Sequence, residues 1–87
     1  MSNSIVRIDL DVIDDWKVTL ASINNQCIED INELSRIVKD FDNFKGHTAD
    51  VARELITDIL QSANKAHENL DSAQKTLTNI QEVKSNA

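Results

Sequence analysis

From Ile13 onward, the apolar or small positions run Ile13, Trp16, Leu20, Ile23, Cys27, Ile31, Leu34, Val38 and Phe41, in steps of three and four with one stutter after Cys27. That spacing keeps one face of an α-helix apolar and predicts a helix over about residues 11–42. Asp9 or Asp11 can cap its start, and Asp14 and Asp15 sit where carboxylates complement the positive end of the helix dipole. A second run, Ala52, Ile56, Ile59, Ala63, Ala66, Leu70, Ala73, Leu77 and Ile80, alternates four and three without a break. It predicts a second helix over about residues 49–84, with Thr48 as N-cap and Asp50 at its positive end.

Between the two runs stands Asp42-Asn43-Phe44-Lys45-Gly46-His47-Thr48, which contains the only glycine of a chain without proline. Gly46 can take the positive φ that a reversal needs. A connector this short makes the helices antiparallel, each on the order of 50 Å long at 1.5 Å per residue. Residues whose numbers sum to roughly 90 should then face each other, given the equal rise of the two helices. Trp16 would meet Ala73, Ile23 would meet Ala66 and Cys27 would meet Ala63, with Gln74 off the seam. The expected fold is all-α, a single helical-hairpin domain over residues 1–87 with its turn at 43–48.

Two helices cannot cover every apolar residue of this chain. Leu20, Ile23, Ile56 and Ile59 are expected to lie mostly inside, and Ile28, Ile37, Leu55 and Leu60 are expected to form a partner surface. A partner or a second copy would complete a four-helix bundle.

Composition narrows the function more by exclusion than by indication. The net charge is -6, and the nine basic residues are scattered, so no footprint for a nucleic-acid backbone exists. No apolar run approaches the roughly 18 residues of a membrane span, and the N-terminus has no secretory signal peptide, so the expectation is a soluble chain. A single glycine cannot build a phosphate-binding loop. The two histidines, His47 and His67, lack the neighbours of a metal site. The sole cysteine, Cys27, reads as a small packing residue. No cofactor, no metal and no enzymatic activity are expected.

Two long helices joined by a turn carrying Phe44-Lys45-Gly46 resemble the WXG superfamily of type VII secretion proteins, in which Trp-x-Gly occupies the turn. The segment "FKGHTADVARELI" is similar to the hydrophobic-x-Gly segment that opens the second helix of LXG toxin domains and of their small helical partners. "IVRIDLD" resembles the short extended segment before helix one in the superfamily. Phe44 in place of Trp moves the resemblance from the self-dimerising members toward the small partners of LXG toxins.

The resemblance implies a non-enzymatic targeting or chaperone subunit that binds an LXG-type toxin domain, or a sister small protein, for type VII secretion. It implies a cytoplasmic location before export and a route without a cleavable signal peptide. The family's export signal, an aromatic residue or His followed four residues later by an acid, is approached only by His67 and Asp71, well inside helix two. The reading of the residues leaves two alternatives: an exported homodimer, and a coiled-coil adaptor unrelated to secretion.

Overall fold

The computed structural model describes residues 10–86, with side chains through residue 83. Helix α1 runs Leu10–Asp40, a single 3-10 turn follows at Phe41–Asn43, and helix α2 runs His47–Asn86. The two helices pack antiparallel as a hairpin, and no strand occurs among the described residues. Asp9 and the segment before it lie outside the described residues, so neither the cap assigned to Asp9 nor the extended segment has a structural counterpart here.

The reversal is built from three residues and one arginine. Phe44 is extended (φ -115°, ψ 144°), and its N–H donates to the Phe41 carbonyl at 3.0 Å, which closes the 3-10 turn. Gly46 follows with φ 116°, a conformation that L side chains rarely adopt. Its carbonyl accepts from the Asp50 N–H at 3.1 Å, so Gly46 itself occupies the N-cap position of α2. Thr48, expected as the cap, stands inside the first turn instead. α1 ends at Asp40, close to the expected residue 42, and the 3-10 turn at Phe41–Asn43 tightens the chain out of the helix.

Arg53 ties this turn down from α2. Its Nη2 donates to the Phe41 carbonyl at 2.8 Å, its Nη1 to Asp50 at 3.1 Å, and its Nε faces Asp42 at 3.7 Å. The Phe41 carbonyl, already accepting from the Phe44 N–H, thereby gains a second, charged donor. Phe41 and Phe44 close the tip edge to face, with ring centroids 6.4 Å apart.

The hairpin measures 63 × 22 × 15 Å, with a radius of gyration of 19.4 Å, against about 12 Å for a compact chain of this length. It exposes 6655 Å², where a compact chain of this mass would expose about 5,200 Å². Among the described residues, Ile13 is the one fully buried apolar side chain. A rod of two helices has contact lines but no closed core.

Candidate functional site: an apolar face beside a polar seam

The line of contact between the helices is partly polar. Asn24, only 7% exposed, stands at its centre. Its Nδ2 donates to Asp71 Oδ1 at 2.9 Å and approaches Gln74 Oε1 at 3.5 Å, while its Oδ1 meets His67 Nδ1 at 2.6 Å. His67 Nε2 lies 3.6 Å from Asp71 Oδ2. The two acceptors facing the Asn24 amide nitrogen fix its orientation, leaving its oxygen for the imidazole. Toward the open end Lys17 Nζ donates to Gln81 Oε1 at 2.9 Å, and Gln81 in turn donates to Asp14. Cys27 Sγ donates to the Ala63 carbonyl at 3.4 Å, the pairing that the register anticipates.

Other parts of that register are corrected. Ile23 and Ala66, expected to face each other, are both exposed, and Ile59 is exposed as well. Gln74, expected off the seam, is half-buried against Asn24. The physical reason is a rotation of both helices: residues spaced by three and four from Asn24 and His67 join the contact line, and one edge of the apolar stripe, Trp16 and Ile23 on α1 with Ile59 and Ala66 on α2, is turned outward while Leu20, Cys27, Ile56, Ala63, Leu70 and Leu77 stay half-buried in the contact. His67 and Asp71, the pair that approaches the export signal, point toward α1.

That rotation gives the hairpin two unlike long faces. On one side, Trp16, Thr19, Leu20, Ala73, Thr76 and Leu77 line a shallow groove between the helices, with no charged side chain among them. On the other, Lys17, Asp71, Gln74, Lys75, Thr78 and Asn79 line a polar groove. Ile23 lies seven residues after Trp16, Ile59 fourteen before Ala73 and Leu55 twenty-one before Thr76, so they continue the apolar face toward the turn. Trp16 is 51% exposed, Leu55 60% and Ile59 54%, all on a face that the chain itself leaves uncovered.

The four residues expected to form the partner surface are not brought together. Leu55 lies on the apolar face, whereas Ile28 is exposed on the flank of Asp14, which shares its seven-residue position. Ile37 continues the repeat of Trp16 and Ile23 but is half-buried, as is Leu60. Of the turn motif, Phe44 is exposed, touching Phe41 by its edge, and Lys45 is exposed. Sequence reasoning missed Asn24 and Arg53. The signal for Asn24 was present in the polar run His67, Asp71, Gln74, Thr78, Gln81, which repeats at four and three just as the apolar run does.

Among the described residues, no group of three or more His, Cys, Asp or Glu side chains could hold a metal ion. No described helix is long and apolar enough to cross a membrane. Compared with known proteins, the chain matches no family model, no curated protein and no solved structure.

Proposed function

We propose that the chain is a non-enzymatic helical subunit that covers its apolar face with a helical partner, and that the partner is an LXG-type toxin domain, or a sister small protein, bound for type VII secretion. The observation that carries the reading is the uncovered face of Trp16, Ile23, Leu55 and Ile59 on a hairpin with no closed core. Such a face, beside a contact line already satisfied by Asn24, suits addition of further helices into a four-helix bundle. The secretion context is supported by the resemblance of Phe44-Lys45-Gly46 and the helices around it to the WXG superfamily. In this reading the chain binds and presents; it performs no chemistry.

The test is co-expression with an LXG-type helical domain. Leu55→Asp with Ile59→Asp should leave helicity intact by circular dichroism, because both side chains are exposed in the free chain. Co-purification should be lost, because a desolvated, unpaired carboxylate costs several kcal/mol at an interface. Toxin export should fall in parallel. Unchanged co-purification in the double variant would remove the apolar face as the partner surface. Export of the chain alone, blocked by His67→Ala, would favour the exported homodimer instead.

A further inference from the structure

We infer that the partner helix on the apolar face carries lysine or arginine beside its own apolar stripe, and that a second copy of this chain is not the occupant. The inference rests on the reading that this face is the partner surface, and it names the chemistry of the partner.

The argument is the distribution of charge around the hairpin. Seven-residue repeats of the groove-lining residues trace the whole apolar face along both helices. On α2, through Val83, these positions hold no charged residue; on α1 they hold Asp30, Glu33 and Asp40, all acidic. Glu33 and Asp40 are engaged by Arg36 at 2.8 and 3.3 Å. Asp30, midway between Ile23 and Ile37 on their own repeat, is exposed and accepts from the neutral Gln26 at 3.1 Å. Lys17 and Lys75 line the opposite, polar groove, and Lys65 stands 3.9 Å from Glu68.

Away from the open end, where Lys84 follows Leu77 on the same repeat, a helix laid along this face therefore meets an apolar strip with an acidic residue in it and, among the described side chains, no free base. A second copy would bring the same acids and double a net charge of -6. A basic-flanked helix would neutralise Asp30 as it buries Trp16 and Leu55.

The experiment uses the full chain and two synthetic amphipathic helices with one leucine stripe, flanked by lysine in one and by glutamate in the other. Trp16, the only tryptophan, reports binding by its emission. The lysine-flanked helix should bind about tenfold more tightly, with the gap narrowing as salt rises. Asp30→Lys should abolish or reverse that preference. Glu82→Lys makes the same charge change at the seven-residue position of Lys75, on the polar side, and should leave the preference in place.

Equal affinities would overturn the inference, as would an equal effect of the two lysine variants. A chain that sediments alone as a dimer with Trp16 shielded from quencher would also overturn it. If neither peptide binds but an LXG-type helical domain still co-purifies through Leu55 and Ile59, the charge inference fails and the functional reading stands. If nothing binds that face, the functional reading falls with it.

Discussion

At Gly46 the reversal depends on one backbone angle, and its surroundings separate strain from crowding. A Cβ built there would meet nothing within 4 Å, so a substitution costs conformation alone. Gly46→Val should lower stability by roughly 1–2 kcal/mol, because a β-branched residue is an outlier at positive φ, whereas Gly46→Asn should cost less. Thermal melts of the two variants check this, and a valine variant that melts with the wild type would remove the turn argument. Arg53 makes a second residue-scale case. Its guanidinium reaches the Phe41 carbonyl and Asp50 together, a fork that an ammonium cannot reproduce. Arg53→Lys should therefore cost about 1 kcal/mol, seen as a lower melting midpoint and faster amide exchange at Phe44. Arg36 illustrates the opposite limit. Its pKa is raised first by the hydrogen bond to Glu33 and then by the charges of Glu33 and Asp40, yet the group is fully solvated and always charged, so no stability or pH effect follows.

At the scale of the helices, the decisive position is Asn24, where a polar side chain occupies the centre of the contact line. Asn24→Asp would set a second carboxylate against Asp71, now 2.9 Å from the amide nitrogen. The hairpin should lose on the order of 3 kcal/mol. The neighbouring Asn25→Asp, on exposed surface, should change stability by less than about 0.5 kcal/mol. Urea unfolding of the two variants makes the comparison, and equal midpoints would mean that Asn24 is not in the contact. Replacing Asn24 by Leu is a different experiment, since apolar substitution of a buried polar group can be neutral in stability while relaxing the register. These residues also show how far the sequence could be read. Periodicity located both helices and the antiparallel turn, because spacing by three and four states which residues share a face. The Cys27 to Ala63 pairing followed from equal helical rise. Periodicity does not state which of two adjacent stripes meets the other helix. The apolar stripe was assigned to the seam because burial of apolar surface dominates folding. In a rod with one uncovered face, one edge of the apolar stripe can instead be turned outward, while amides and an imidazole share the internal contact with Ile13, Leu20, Cys27, Ile56, Ala63, Leu70 and Leu77.

For the whole molecule, the consequence is a chain whose stability and accessibility should both depend on what it binds. A single line of contact, with Ile13 as its one fully buried apolar side chain among the described residues, leaves little apolar burial to offset the ordering of two long helices. A partner that binds only the folded hairpin stabilises it by mass action, about 2.7 kcal/mol when present at one hundred times its dissociation constant. For a domain of this size each kcal/mol moves the melting midpoint by about 4–8 °C, so saturating partner should raise it by roughly 10–20 °C. The same event has a local signature, because Trp16 is half exposed in the free chain and lines the groove that the partner would fill. Acrylamide quenching of its emission should fall as the midpoint rises, with the same concentration dependence. Leu55→Asp with Ile59→Asp should remove both responses together, although those side chains lie along the hairpin from Trp16, because one helix docking along the whole face must cover all three. A rise in midpoint without shielding of Trp16 would place the partner on another surface, and shielding that survives the double variant would show that the groove at Trp16 acts independently of the rest of the face.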